Sequence, residues 1–345
     1  MKKRITINML SSADKVDGQG VGSAYLEQVA LVKDGAKDYF SVRVNSRDKA
    51  DIIHCHTIDP INYLKMKMNK GVNVSYVHFL PHTLDGSIKL PKISFKIFKN
   101  YVIEFYKTAD HVVVVNPIFK KELAQYGIED EKIHYIPNYV SREKFHKLTD
   151  KQVSALKRKY SIDPNKFVVL GVGQVQTRKG VLDFIKTAKK LPDVQFVWCG
   201  GFSFGCITDG YEELKKVYDN PPENVKFLGI IPRDEMNNMY NIADVLFMPS
   251  YNELFPMAIL EAINSSKPLL LRDLDLYEDI LFNKYIKGKS VSDFADAIKK
   301  LSTDKKFYKE QSKMSDEISN YYSKEHVLQM WIDFYTKIYE DRVEK

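Results

Sequence analysis

Val245-Leu-Phe-Met-Pro-Ser-Tyr-Asn-Glu253-Leu-Phe-Pro-Met-Ala-Ile-Leu-Glu261-Ala-Ile-Asn-Ser-Ser-Lys-Pro-Leu-Leu-Leu271 reads as one complete strand–helix–strand unit. The apolar run 245–248 is a short strand of the kind buried in a parallel sheet, 257–264 is a helix, and 268–271 is the next strand. Pro256 fits the first helical turn, where a missing N–H costs nothing and a fixed φ suits the helix. Glu253 then lies in the loop before the helix and Glu261 more than one turn inside it, with seven residues between them. The backbone N–H groups of Met257 and Ala258 have no intrahelical acceptor and form a ready site for a phosphate. Two carboxylates flanking such a site suit a ligand with hydroxylated ends and an anionic middle. A sugar nucleotide has that form.

The same alternation extends in both directions. Strands are expected at 5–10, 52–55, 74–78, 112–115 and 133–136, and again at 167–172, 195–199 and 225–228. Helices are expected at 23–33 (with Leu26, Val29 and Ala30 apolar), 181–190, 234–241 and 292–301. A Lys-rich segment over 138–165 interrupts the pattern and marks a boundary. The expected architecture is α/β, with two Rossmann-like βαβ domains over 1–145 and 160–319 and ligand at the carboxyl ends of their strands. Val327, Met330, Trp331, Phe334, Tyr335 and Ile338 recur at helical spacing, so a closing helix within about 320–345 is expected to pack back on the first domain.

At 345 residues the chain is long for one domain, and with 44% hydrophobic and 28% charged residues it is globular rather than disordered. The formal charge of +7 is compatible with nucleic acid, anionic lipid or phosphorylated ligands. Cys55, Cys199 and Cys206 match neither a disulfide framework nor a zinc site, which favours a reducing, cytoplasmic setting. Lys2, Lys3 and Arg4 precede an apolar run too short for a signal peptide, and no segment approaches the roughly 18 apolar residues of a spanning helix.

Several other groups have chemical potential. Gly171-Val-Gly173 ends a strand, and Arg178-Lys179-Gly180 opens the next helix. Cations there oppose the helix dipole, so this is either a solvated turn or a site whose bound dianion reconciles the conflict. Gly18-Gln-Gly20-Val-Gly22 is read as a loop after the first strand, either a plain tight turn or a close approach to phosphate; it misses the G-x-G-x-x-G spacing by one residue. His78 closes an apolar strand and is either a hydrogen-bonded core residue or a group in the cleft; His82 and Asp85 follow in the next loop. His54 and His56 flank Cys55 on a strand whose faces alternate, which makes them poor joint metal ligands. Asp273-Leu-Asp275 is read as a surface loop rather than a metal site. Over 89–107, Lys92, Lys96 and Lys99 fall on one helical stripe among aromatic and aliphatic residues, with Lys65, Lys67 and Lys70 upstream. That helix suits the headgroup layer of an anionic membrane; it equally suits a domain helix with solvated lysines.

Together these pieces resemble the retaining GT-B glycosyltransferases of family 4, and the resemblance covers nearly the whole chain. It is carried by Gly20-Val-Gly22, Asp51-Ile-Ile-His-Cys-His56, His78, Arg178-Lys179-Gly180, Val225-Lys-Phe-Leu-Gly-Ile-Ile-Pro232 and Asn252-Glu-Leu-Phe-Pro-Met-Ala-Ile-Leu-Glu-Ala262. It implies two domains facing each other across a cleft. Glu253 would hold donor-sugar hydroxyls, Glu261 the ribose, and Arg178 with Lys179 the diphosphate in place of a metal. His78 would lie near the sugar 6-hydroxyl, Gly20 and Gly22 near the phosphate, and the backbone around Ile231 against the nucleobase. Pro256, where the family has Gly, removes one backbone donor, though Met257 remains. Ser265-Ser-Lys-Pro268 and Leu271-Arg-Asp-Leu-Asp-Leu-Tyr277 also depart from the family pattern, the latter replacing a Gly-rich loop.

These departures resemble the bacterial (glucosyl)diacylglycerol glycosyltransferases. The implied activity moves glucose or galactose from a UDP-sugar to glucosyl-diacylglycerol, with no metal or other cofactor. The implied location is the inner face of the cell membrane, held peripherally by the Lys92, Lys96 and Lys99 helix. The alternatives are a polymer-directed transferase with the same donor machinery and a non-catalytic sugar-nucleotide sensor. A nucleic-acid partner is disfavoured, because the two glutamates would repel its phosphates.

Overall fold

A computed structural model describes residues 4–13, 20–78, 80, 92–203, 205 and 208–344. The chain forms two compact units, one running up to Tyr139 and resuming at Tyr322, the other holding Val140–Tyr321. The first contains β1 (Ile5–Leu10), α1 (Gly20–Gly35), β2 (Phe40–Val44), β3 (Ile52–Cys55), α2 (Pro60–Met68), β4 (Val72–Val77), α3 (Lys92–Thr108), β5 (His111–Val114), α4 (Phe119–Gln125) and β6 (Ile133–Tyr135). The second contains α5 (Asp150–Lys159), β7 (Val168–Val172), α6 (Val181–Lys190), β8 (Gln195–Cys199), α7 (Tyr211–Asp219), β9 (Val225–Phe227), α8 (Met236–Ile242), β10 (Val245–Met248), α9 (Met257–Asn264), β11 (Leu269–Arg272), α10 (Leu276–Leu281), β12 (Ile286–Gly288), α11 (Val291–Thr303) and α12 (Lys305–Tyr321). α13 (Lys324–Val343) belongs to the first unit.

Each unit is built on a six-stranded sheet, ordered β2-β1-β3-β4-β5-β6 and β12-β11-β10-β7-β8-β9. Every neighbouring pair is parallel. Parallel sheets need both faces covered, and β3, β4 and β10 are buried along their whole length. The two strands that the sequence did not signal, β2 and β12, are sheet edges: Phe-Ser-Val-Arg-Val and Ile-Lys-Gly lack the continuous apolar run of a central strand.

In the second unit Phe184 of α6 packs against Phe196, Trp198 and Phe247, with ring centroids 5.3, 5.1 and 5.6 Å away. This cluster ties α6 to the strands and fixes the loops at their carboxyl ends. A Cβ on Gly171 would lie 2.3 Å from the Trp198 ring, so this strand position has room only for glycine. The charged boundary segment contains α5, started by a reciprocal cap in which Thr149 and Gln152 bond each other's backbone N–H groups. The expected helix at 234–241 is instead a 3-10 turn, Arg233–Glu235, followed by α8.

In the first unit α13 packs on α1 and β4. Trp331 and Tyr335 are buried and stacked at 5.2 Å, and Trp331 meets Tyr76 of β4 edge-on at 5.5 Å. α1 corrects two expectations. Its buried face is Ala24, Tyr25, Glu27, Gln28, Leu31 and Val32, with Leu26 48% exposed. Gly20 and Gly22 also stand in its first turn rather than in a loop. The buried Gln28 is explained by α13, because it donates to the Tyr335 hydroxyl at 3.1 Å. A polar helix face can turn inward when a buried partner receives it.

Candidate active site

The loops leaving β7 and β10 bring three of the sequence-nominated residues together. Glu253 is 7% exposed and accepts a hydrogen bond from Lys179 Nζ at 2.5 Å, with Arg178 Nη1 at 3.9 Å. Arg178 and Lys179 occupy a 3-10 turn, Thr177–Lys179, and Gly180 then starts α6 in the left-handed region at φ 69°. A Cβ on Gly180 would stand 2.2 Å from the Pro249 carbonyl oxygen, so glycine allows this turn to press against the Glu253 loop. Gly173, at φ 143°, leaves the space across which the Lys179 side chain reaches.

Burial pushes the Glu253 carboxyl up, but the charges of Lys179 and Arg178, with hydrogen bonds from Lys179 and Ser250, outweigh it and hold the group below its ordinary value. Lys179 is also lowered, by burial first and by Arg178, with Glu253 opposing. Both directions describe an ion pair in a dry site. Arg178 further donates to Gln176 Oε1 at 3.1 Å and to the Asn252 carbonyl at 3.3 Å.

Glu261, 4% exposed, projects from α9. Its two oxygens accept from Arg233 Nη1 at 2.5 Å and from the Tyr240 hydroxyl at 2.6 Å. Neither partner was legible in the sequence: Arg233 sits in a charged turn and Tyr240 on an apolar helix, and only the fold brings them to one carboxylate. Arg233 also lies over the Phe145 ring at 5.1 Å. Met257 and Ala258 open α9, where their N–H groups have no intrahelical acceptor. Pro256 is placed one residue outside the helix, at its N-cap with ψ 131°, and not in the first turn. Ile231 is half-buried, two residues before Arg233. The hydroxyl of Tyr277 is buried and has no hydrogen-bond partner among the described residues. Burial pushes its pKa well up, and the Glu253 charge adds to the shift. Asp273 pairs with Lys287 and Lys289, and Asp275 precedes α10.

His78, Gly20 and Gly22 belong to the first unit. His78 follows β4, and its Nε2 lies 3.4 Å from His56 Nδ1. His54 and His56 point to the same side of β3 with ring centroids 4.4 Å apart, which corrects the expectation of opposed faces; positions two apart on a strand share a face. His54 Nδ1 meets the Tyr335 hydroxyl at 2.6 Å. Burial lowers His54 and His78 to about 3 and His56 well below its usual value, with neighbouring histidines adding to the shift at His54 and His56. All three are therefore neutral. The Nε2 atoms of His54 and His56 have no partner among the described residues. Tyr25 of α1 contacts His56 edge-on at 4.8 Å. Among the described residues no group of three or more His, Cys, Asp or Glu is placed to hold a metal. His82, Asp85, Cys206 and the Lys92 side chain lie outside the described residues.

Two buried glutamates at the carboxyl edge of a parallel sheet, each paired with cations, define a class that comparison with known proteins identifies. Residues 152–319 match the family model described as glycosyl transferases group 1, and residues 36–144 match glycosyltransferase family 4. The chain is 47% identical to the alpha-galactosylglucosyldiacylglycerol synthase of Streptococcus pneumoniae, over 97% of this chain and 90% of that protein. It is 25% identical to the processive diacylglycerol alpha-glucosyltransferase of Acholeplasma laidlawii, over 82% of this chain and 83% of that one. In fold it is similar to Anabaena HepE, solved in complex with UDP and glucose, with TM-score 0.75, 15% identity and 96% of this chain and 100% of that one covered. It is similar also to a sucrose-phosphate synthase from Thermosynechococcus elongatus, with TM-score 0.80, 15% identity and 98% and 100% covered. The chain belongs to the family 4 glycosyltransferases of the GT-B fold, and it is a glycosyltransferase.

Proposed function

We propose that the protein transfers glucose or galactose from a UDP-sugar to glucosyl-diacylglycerol, with retention at the anomeric carbon, to give a diglycosyl-diacylglycerol. The observation that carries this reading is the buried Glu253 held by Lys179 and Arg178 on the loop that leads to Glu261. Lys179 has three N–H donors and gives one to Glu253, which leaves two for a diphosphate. The carboxylate that receives sugar hydroxyls therefore orients the cation that receives the leaving group. Charge developing on the diphosphate meets cations and α9 N–H groups already in place, in a site where little water competes. Glu261 receives the ribose hydroxyls on lone pairs left open by Arg233 and Tyr240. With no enzyme nucleophile assigned, retention follows from front-face attack assisted by the departing phosphate. The diacylglycerol acceptor is supported by the pneumococcal and Acholeplasma relatives.

No described helix is long and apolar enough to cross a membrane. Two surface helices of the first unit support peripheral binding to an anionic bilayer on the cytoplasmic side. α2 exposes Ile61, Leu64 and Met68 on one face, with Lys67 beside them, and α3 exposes Ile97 and Lys96. Lys99 lies over the Tyr126 ring at 5.4 Å, while Val102, Phe105 and Tyr106 bury the other half of α3. Apolar side chains flanked by lysines suit the headgroup layer.

Incubation with UDP-glucose or UDP-galactose and glucosyl-diacylglycerol should give a product one hexose heavier, with an α linkage by NMR. Absence of UDP binding in calorimetry, or a β-linked product, would overturn the reading.

A further inference from the structure

Arg272 ends β11 and is 9% exposed. All three guanidinium nitrogens are used. Nε donates to the Pro249 carbonyl at 2.9 Å, Nη1 to the Lys289 carbonyl at 3.3 Å, and Nη2 to Asp183 Oδ2 at 2.5 Å. Its plane lies under the Tyr251 ring, 3.9 Å from the centroid, and the Tyr251 hydroxyl closes the loop by donating to the same Asp183 oxygen at 2.6 Å.

Apart from Lys289, the residues held here lie next to the donor machinery. Pro249 and Tyr251 bracket Ser250, which bonds Glu253. The Tyr251 N–H donates to the Arg178 carbonyl at 2.8 Å, and the Asn252 carbonyl receives the Arg178 guanidinium. Asp183 stands in the first turn of α6, just after Lys179 and Gly180. Arg272 is therefore bonded to the Glu253 loop at Pro249 and to the first turn of α6 at Asp183, and its hydrogen bonds go to neither Glu253 nor the Arg178 and Lys179 head groups. Tyr251 is 52% exposed, so its ring is not retained for burial; it covers a planar cation, an interaction lysine would not reproduce.

We infer that Arg272 and Tyr251 form a clamp that positions the Glu253 loop for the transfer step. The inference rests on the reading of Glu253 given above. The clamp acts through other residues, so its loss misaims the carboxylate while the nucleotide keeps its own contacts through Glu261 and α9.

The test compares Tyr251→Leu, Tyr251→Phe, Arg272→Gln and Glu253→Gln in the full chain, by kcat and KM for UDP-sugar with glucosyl-diacylglycerol in mixed micelles, and by UDP affinity in calorimetry. Tyr251→Leu is expected to lower kcat by about 100-fold, the cost of roughly 1 Å of misplacement, with UDP affinity within about 3-fold of the parent. Tyr251→Phe, which keeps the ring on the guanidinium, should recover most of that loss. Arg272→Gln should follow Tyr251→Leu; because Tyr251 is a surface residue, its variants decide the matter even if Arg272→Gln does not fold. Tyr251→Leu with parental kcat, or with kcat and UDP affinity falling together, would overturn the clamp. If Glu253→Gln itself keeps parental turnover, the reading of the site fails instead; if it loses turnover while Tyr251→Leu does not, only the clamp fails.

Discussion

Lys179 and Glu253 constrain each other for a reason that precedes catalysis. Their side chains are only 11% and 7% exposed, and a buried charge without its partner costs about 3–5 kcal/mol. Lys179→Met should therefore lower stability by that order, and adding Glu253→Gln should restore much of it, as read by urea denaturation of the two variants. Neither protein should transfer sugar. Glu253→Gln alone should reduce turnover by about 100–1000-fold, comparable to losing a preorganised charge-stabilising donor. The glutamate spacing and the Arg178-Lys179-Gly180 turn were legible because each is a local pattern on a strand–helix connection. Arg233 and Tyr240 were not, because they meet Glu261 from separate elements and have no shared spacing with it.

Elements carry the next level of constraint. α6 begins on a glycine at φ 69° that faces the Pro249 carbonyl, so a single methyl group meets both backbone strain and a clash. Gly180→Ala should cost at least about 1–2 kcal/mol and weaken UDP binding, measured by thermal melting with and without UDP. On the first unit, replacing Ile61, Leu64 and Met68 of α2 by serine should weaken sedimentation with anionic vesicles while leaving UDP affinity unchanged; unchanged sedimentation would remove α2 from the membrane-facing surface. The central strands were read from their apolar runs, since a strand buried on both faces has no other composition available. The edge strands β2 and β12 and the short helices α2, α4, α7 and α10 were not, because half-exposed segments of so few residues lack a period long enough to recognise; α5 and the longer α12 were missed too, α12 because its buried face includes Gln311, Ser315 and Ser319. The face of α1 was misread for a related reason: Glu27 and Gln28 turn inward, and the partner of Gln28 is 307 residues away in sequence.

The whole molecule has an acid limit set by its first unit. His54 and His78 are lowered to about 3 and His134 to about 4, burial being the largest cause in each, while an unfolded chain holds a histidine near its ordinary value of about 6.5. Between those values the unfolded state binds the protons and the folded state does not. Stability is complete above about pH 6.5 and falls as pH drops toward 4, by about 1.4 kcal/mol per pH unit for each fully buried histidine. Melting temperatures from pH 8 to 5 should show that decline, and His134→Asn should make it shallower. Deleting the chain from Tyr322 onward should unfold the first unit, which loses Trp331 and Tyr335 against β4, and leave the second able to bind UDP.

The return of α13 to the first unit also inverts the order of maturation during synthesis. The ribosome delivers β1 through β6 first, but the helix that covers β4 and receives Gln28 emerges only after all of Val140–Tyr321. At roughly 5–20 residues per second, the second unit is complete while the amino-terminal sheet still lacks its closing helix. Nascent chains stalled just past α12 should accordingly resist protease over the second unit and be cut in the first.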